Sequence, residues 1–386
     1  MCHHVCGNRH LASDLNGEPV SAAPPEAEWF RRVLCHVQSD GLARIVRHRG
    51  SALRLDGVSE RVWDLCDRAT TQARVVDVLC AEYAVDRATC TADVAALIAD
   101  LHGVSLLESC AKPNSARDRY LGLIKRALTG LTSVENELRL ELMTRHPERM
   151  RDAEYVRDIR YREADMRERL ERAKRLGELL DGWPMINAHS FIGFHGLDHV
   201  ERLAETVFAD GIAGDFVDAG TWRGGSAIFM RALHEAFDQK HRQLWVADCF
   251  AGVPPPVSAP DVAAGLDLTA ERLPFMLASQ QEVTENFMAF DLLDGGVRFL
   301  PGLFEDTLPD APIGEIALLR MDGDLYTSTL DVLHALYDRI VPGGYVIVDD
   351  YALAPCRQAV DEFRSEHGIT APIERINWTI MHWRKA

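Results

Sequence analysis

Acidic residues close two apolar runs of this chain, and both runs look like buried strands. Ile316-Ala317-Leu318-Leu319-Arg320-Met321 leads into Asp322-Gly323-Asp324, and Tyr345-Val346-Ile347-Val348 leads into Asp349-Asp350. If the two strands are neighbours, Asp322, Asp349 and Asp350 converge. Carboxylates that converge without partners repel each other, and their pKa values rise. A hard divalent cation removes that conflict, and an oxygen donor set with places left for water or substrate suits Mg²⁺. The competing reading is that either acidic pair only caps the helix that follows it.

A second constellation lies upstream. Asp215-Phe216-Val217-Asp218-Ala219 enters the turn Gly220-Thr221-Trp222-Arg223-Gly224-Gly225-Ser226, and Ala227 to Leu233 then has helical spacing. Strand, glycine-rich turn and helix form the first unit of a nucleotide-binding α/β fold. The glycines admit a ligand close to the backbone, and the helix start offers free N–H groups. Asp218, at the strand's end, can accept from a ligand's amine or hydroxyls. One strand later, Leu244-Trp245-Val246-Ala247 ends in Asp248, where such folds hold a ribose diol. The spacing is not GxGxxG, so the turn gains its meaning from the acid that follows.

These elements need a scaffold, and composition supplies one. The chain has 386 residues, 47% of them apolar, enough for more than one domain. No uncharged apolar run is long enough to span a bilayer, and Met1-Cys2-His3-His4-Val5-Cys6 lacks the core of a signal peptide. Nine scattered cysteines, an odd number, read as reduced thiols. The expectation is a soluble cytoplasmic protein. A net charge of −17 argues against nucleic-acid backbones as partners.

Residues 1–27 read as a disordered tail, and a solvated tail is favoured over a metal site for Cys2, His3, His4, Cys6 and His10. Residues 28–110 form a separate unit. Ala43 to His48 and Ser51 to Leu55 flank Arg49-Gly50 as a hairpin. Three helical patterns follow: Ser59 to Cys66; a face of Val75, Val76, Leu79 and Tyr83; and a face of Val94, Leu97, Ile98 and Leu101. Strands followed by short helices give a small winged-helix-like module. Residues 111–185 hold a linker at 112–115 and then surface helices dense in Arg and Glu, a helical cap. From 186 to 386, apolar runs with little alternation, separated by helices, predict a doubly wound, mostly parallel sheet. The loop after Asp248, rich in Pro and Ala, reads as a mobile lid.

Two resemblances sharpen this reading. Through Leu53-Arg54-Leu55, Val62-Trp63, Val75 to Leu79, Tyr83-Ala84-Val85-Asp86 and Asp93 to Leu101, the N-terminal unit resembles the PqqD-like family. Those domains capture the leader segments of ribosomally made peptides by β-augmentation. A helical packing or dimerisation domain is the plainer alternative. From about Arg117 to Arg384 the chain resembles the macrocin O-methyltransferase family. The motifs are Phe191-Ile192-Gly193, Gly214 to Val217, Gly220 with Trp222 to Gly225, and Val246-Ala247-Asp248. They continue with Val297 to Gly302, Asp306 to Pro309, Asp322 to Thr329, Pro342 to Ile347, Asp349-Asp350-Tyr351 and Cys356 to Val360.

The second resemblance implies a Rossmann-like class I methyltransferase that uses S-adenosylmethionine and Mg²⁺. Cofactor contacts would come from Ser190, Phe191, Asp218, Gly220, Trp222, Arg223, Gly224, Ser226, Asp248, Phe250, Asp306 and Asp322. Asp248 would hold the ribose, and Asp306 would lie on the adenine side. Asp322, Asp349 and Asp350 would bind the metal, which would lower the pKa of the acceptor oxygen. Asp218 stands where the family usually has Glu. The lid, Ala251 to Arg272, contains no His, so a carboxylate near the metal, Asp322 or Asp324, or the metal alone is expected to remove the proton. Together the two resemblances imply O-methylation of a ribosomal peptide. A sugar hydroxyl of a small natural product and a non-catalytic peptide chaperone are the alternatives. A peptide or small-molecule partner is expected, along with further copies of the chain in a homo-oligomer.

Overall fold

The computed structural model describes residues 29–32, 36–39, 44–48, 51–55, 57–66, 70–83, 85–103, 106–110, 115–132, 188–376 and 379–386. The tail at 1–27, linker residues 112–114 and the Arg/Glu-rich cap at 134–182 lie outside the described residues.

The N-terminal unit runs β1 (Trp29–Arg32), β2 (His36–Ser39), β3 (Arg44–His48), β4 (Ser51–Leu55), α1 (Gly57–Leu65), α2 (Gln72–Tyr83), α3 (Arg87–Gly103) and β5 (Leu107–Cys110). The hairpin expected about Arg49-Gly50 is present, with β3 antiparallel to β4 and His48 opposite Ser51. β2 adds a third strand, and β1 pairs with β5 as a separate ribbon. Neither β2 nor the ribbon was expected, because runs of four residues carry too little periodicity to register. The helices follow the apolar spacing. Val62, Trp63, Val75, Val76, Leu79, Val94, Ile98 and Leu101 close one core with Phe30 and Leu55. Tyr83 departs from its expected face and is 46% exposed.

The larger unit opens with α4 (Ala116–Leu128). A capping box starts it: Asp118 N–H donates to Ser115 Oγ, and Ser115 N–H to Asp118 Oδ2, each at 3.0 Å. After it come α5 (Gly193–Ala209), β6 (Asp215–Ala219), α6 (Gly225–Ala236), β7 (Leu244–Asp248), α7 (Ala259–Ala264), α8 (Gln280–Ala289), β8 (Val297–Pro301), α9 (Phe304–Thr307) and β9 (Ile316–Met321). The chain finishes with α10 (Tyr326–Leu336), β10 (Ile340–Val348), α11 (Ala354–Glu366), β11 (Glu374–Arg375) and β12 (Met381–Arg384). Seven strands form one sheet in the order β11-β12-β10-β9-β6-β7-β8. β6 to β10 are parallel, while β12 runs antiparallel to β10 and β11 antiparallel to β12. The central strands read as unbroken apolar runs because both faces are covered. Phe216 and Leu318 pack on one side, Val217 and Leu319 on the other.

From β6 the chain winds outward through β7 and β8, then crosses back to β9 and β10. The order therefore reverses between β6 and β9. In open α/β sheets a crevice forms at the carboxyl ends of the strands at such a switch point. Among the described residues, no helix is long and apolar enough to cross a membrane.

Candidate active site

The acids leave the sheet at one level, because the backbone ladder carries on past the strand ends. Asp322 N–H donates to Ala219 O at 2.8 Å, Asp349 N–H to Met321 O at 3.0 Å, and Gly220 N–H to Ala247 O at 2.8 Å. β9 and β10 are neighbours, with Met321 opposite Val348, as the convergence of their acids requires.

On the β6 side the turn is tightly held. A Cβ on Gly220 would lie 1.9 Å from Asp322 O, and the residue has φ +86°, so only glycine fits. A Cβ on Gly225 would meet His189 O at 2.3 Å, which presses the segment at 188–190 against the start of α6. Among the described residues, two buried hydroxyls at this turn, Ser190 Oγ and Thr221 Oγ1, have no hydrogen-bond partner, and no side chain caps α6. Orphaned hydroxyls beside an uncapped helix start are what a polar ligand would satisfy.

Asp248 organises the turn. Its Oδ2 accepts from Thr221 N–H at 2.8 Å and Trp222 N–H at 3.3 Å, and its Oδ1 from Phe250 N–H at 2.8 Å. Burial pushes its carboxyl upward, while these backbone donors pull the other way. A carboxylate accepts about four hydrogen bonds, and these three amides leave room for about one more from a ligand hydroxyl. Phe250 is buried and packs edge-on to Phe299, with ring centroids 6.1 Å apart. Trp222 joins three segments. Its ring meets Phe191 edge-on at 5.3 Å, its indole N–H donates to Phe275 O at 2.8 Å, and Arg223 lies 4.6 Å above it. Asp306 stands exposed in α9, beyond the end of β8.

One residue in the middle carried no role in the sequence reading. Arg320 points from β9 into the space beneath both constellations, with 3% of its side chain exposed. Its Nη1 donates to Asp218 Oδ1 at 2.8 Å, Gly220 O at 3.0 Å and Ser226 Oγ at 3.1 Å. Its Nη2 donates to Asp322 Oδ2 at 2.6 Å and also to Asp349. Burial opposes the guanidinium charge, but Asp349, Asp218 and Asp322 outweigh it and hold the group ionised. Asp218 is fully buried, and its other oxygen takes the Ser226 hydroxyl at 2.7 Å. The Asp218 side chain therefore faces Arg320 and Ser226 beneath the turn. A lone arginine inside an apolar strand, two residues before an acid, was the available signal.

The acid cluster differs in membership from the sequence expectation. Asp322, Asp324 and Asp350 each bring a carboxylate oxygen within 4.8 Å of the others, whereas Asp349 turns to Arg320. Asp324 has φ +54°, and its N–H donates to Asp350 Oδ2 at 3.0 Å. Burial first and neighbouring acids second push Asp324 and Asp350 well above the usual carboxylate range. Three hard-oxygen groups under mutual repulsion fit a divalent cation such as Mg²⁺. The loop after Asp248 contains α7 and a 3₁₀ turn at Pro274–Met276.

Residues 117–385 match the model of the macrocin O-methyltransferase family. The chain belongs to that family. It is 43% identical over 270 residues to an 8-demethyl-8-(2,3-dimethoxy-alpha-L-rhamnosyl)-tetracenomycin-C 4'-O-methyltransferase of Streptomyces olivaceus, a match covering 70% of this chain and 93% of the relative. Demethyldecarbamoylnovobiocin O-methyltransferase of Streptomyces niveus is 39% identical over 282 residues, covering 72% and 98%. The solved O-methyltransferase NovP superposes with TM-score 0.55 at 36% identity, over 70% of this chain and 99% of NovP. The chain is thus an S-adenosylmethionine-dependent O-methyltransferase with a Rossmann-like fold. Residues 33–107 match the model of coenzyme PQQ synthesis protein D.

Proposed function

We propose that this methyltransferase is Mg²⁺-dependent and O-methylates a ribosomally made peptide, which its N-terminal unit captures by the leader. The observation that carries this reading is the joining of two units in one chain. The matched relatives are spanned over 93% and 98% of their length by about 70% of this chain. The part of this chain matching coenzyme PQQ synthesis protein D is additional to that shared catalytic unit. An added unit of a peptide-capturing family, with antiparallel strands of its own, supports recruitment by strand addition.

In this reading Ser190, Thr221 and the start of α6 hold the methionine end of the cofactor, and Asp248 holds the ribose. Asp322, Asp324 and Asp350 hold the cation. When bound, the sulfonium supplies the methyl group, and Mg²⁺ supplies a fixed charge that lowers the pKa of the acceptor oxygen. Asp322 or Asp324 receives the acceptor's proton. Arg320 fixes Asp218, Asp322 and Asp349 relative to one another, so the two halves of the site keep their spacing. Phe191, Trp222 and Phe275 gather their rings beside the turn.

A second reading makes the acceptor a sugar hydroxyl of a small natural product. Its support is that one relative is named for a 4'-O transfer and another, from Micromonospora griseorubida, for a mycinamicin 3''-O transfer. The test is methyl transfer from labelled S-adenosylmethionine by the full chain. A precursor peptide encoded beside the gene competes with a deoxysugar-bearing aglycone as acceptor. Label on the peptide supports the first reading, and label on the sugar alone replaces it with the second.

A further inference from the structure

Between residues 251 and 277 every side chain is exposed or half-exposed except one. Asp261 is fully buried, while Val257 is 79% and Val262 61% exposed. Asp261 is thus the one buried anchor of this segment, and Phe275 adds a ring contact with Phe191 at its far end. Asp261 Oδ1 accepts the backbone N–H of Tyr326 at 2.9 Å, and Oδ2 accepts the Ser258 hydroxyl. Tyr326 is the first residue of α10, and the residue before it, Leu325, offers no side-chain cap. The first amides of a helix have no partner within the helix, and a carboxylate there is also favoured by the helix dipole. Asp324, with its left-handed backbone and its place in the acid cluster, lies two residues upstream.

We infer that Asp261 is a positioning residue: it caps α10 from the lid and so couples seating of the lid to the conformation of the Asp322–Asp324 turn. With the lid seated, the Tyr326 amide is satisfied and the turn is fixed. Once the lid lifts, the helix loses its cap and the backbone that orients Asp324 is released. At the far end of the same segment, the Trp222 indole donates to Phe275 O. The lid is thus tied to the cofactor turn at one end and to the acid turn at the other. Ordering of the acid cluster follows lid closure, which restricts proton removal to the covered complex. The inference rests on the acid cluster being the acceptor and cation site.

The test uses the full chain in three variants, read by amide hydrogen exchange and by calorimetric titration with Mg²⁺ alone. Asp261→Ala removes the cap. Asp261→Ser keeps a polar group in the buried position but falls short of Tyr326, and serves if the alanine variant does not fold. Asp261→Asn keeps an acceptor oxygen and should behave as the parent. The expected result is faster exchange at the first turn of α10 in the Ala and Ser variants. With it should come Mg²⁺ binding weakened by roughly five- to tenfold, the size of one lost cap bond, and the Asn variant should restore both. Unchanged exchange at that turn in the Ala and Ser variants overturns the inference. So does faster exchange with unchanged Mg²⁺ affinity, which would make Asp261 a lid anchor only. If the parent chain binds no Mg²⁺, the cation reading fails, and the exchange measurement alone decides whether Asp261 caps the helix.

Discussion

Arg320 Nη1 lies 2.8 Å from Asp218 Oδ1 in a space that water does not reach. The same guanidinium spans from the floor of the cofactor turn to Asp322 and Asp349, and its two amines face different halves of the site. Arginine suits this place because its planar fork serves several carboxylates at once and stays charged. Removing it leaves buried carboxylates uncompensated.

Arg320→Met should therefore cost about 3–5 kcal/mol of stability, the range for breaking a buried ion pair by deleting one partner. Arg320→Lys keeps the charge but not the fork and should recover part of that loss. Urea unfolding of the three proteins measures it. A lysine variant as stable as the parent would show that charge alone matters and that the fork does not fix the spacing.

Asp248→Ala should weaken S-adenosylmethionine binding by about 1.5–3 kcal/mol, the worth of a hydrogen bond to a charged group. Asp248 also accepts from Thr221, Trp222 and Phe250, so part of the loss comes from a loosened turn. Asp248→Asn separates the two effects, since its one carbonyl oxygen serves only some of these donors. Calorimetry that finds unchanged affinity in the alanine variant removes Asp248 from the ribose.

Excess chelator should abolish turnover, and Mg²⁺ should restore it. Asp350→Asn should weaken the cation far more than the cofactor, because Asp350 stands in the cluster with Asp322 and Asp324. Asp349→Asn acts by another route. It unbalances Arg320, so its effect should appear in stability as well as in rate. Full activity in chelator would reduce the acids to helix caps.

The parallel sheet, its strand ends and the pairing of β9 with β10 were legible because each rests on a local apolar run followed by an acid. The glycine turn was legible from residue type alone, and the geometry supplies the reason: Gly220 has no room for a Cβ beside Asp322. What stayed hidden depends on direction, not on type. Sequence places Asp349 and Asp350 side by side, but only the fold shows one turned to Arg320 and the other to Asp324. Asp261 was invisible for a related reason. Its partner is a backbone amide far along the chain, and amides carry no sequence signature.

Two histidines set an acid limit on stability. Burial holds His382 down to about 3, with Arg202 adding to the effect. Burial does the same to His234, with Arg231 beside it. The ordinary value is 6.5, so between about 3 and 6.5 the unfolded chain binds protons that the folded chain refuses. Stability then falls as pH falls, by about 1.4 kcal/mol per pH unit for each histidine. The buried acids with raised values push the opposite way, so the comparison to make is with His382→Gln. Relative to that variant, the parent should lose stability steadily below pH 6.5, and parallel curves would show that His382 takes up its proton in the fold.

The last prediction concerns the division of labour between the two units. Residues 28–110 have a core of their own, built on Phe30, Trp63, Val75, Leu79 and Leu101. The catalytic unit has separate cores on the two faces of its sheet. Deleting 1–110 should therefore leave S-adenosylmethionine affinity unchanged while raising KM for a peptide acceptor. The cause is effective concentration: a tethered leader holds the modified segment near the acid cluster at roughly millimolar levels. Because the tether acts on encounter and not on the reacting atoms, kcat should change little at saturating peptide. Steady-state kinetics on the truncated and full chains, with the leader also added as a separate peptide, resolves the terms. Separate leader should inhibit the full chain and leave the truncated one unaffected. An unchanged KM after truncation ends the recruiting role, and the sugar hydroxyl then becomes the better acceptor.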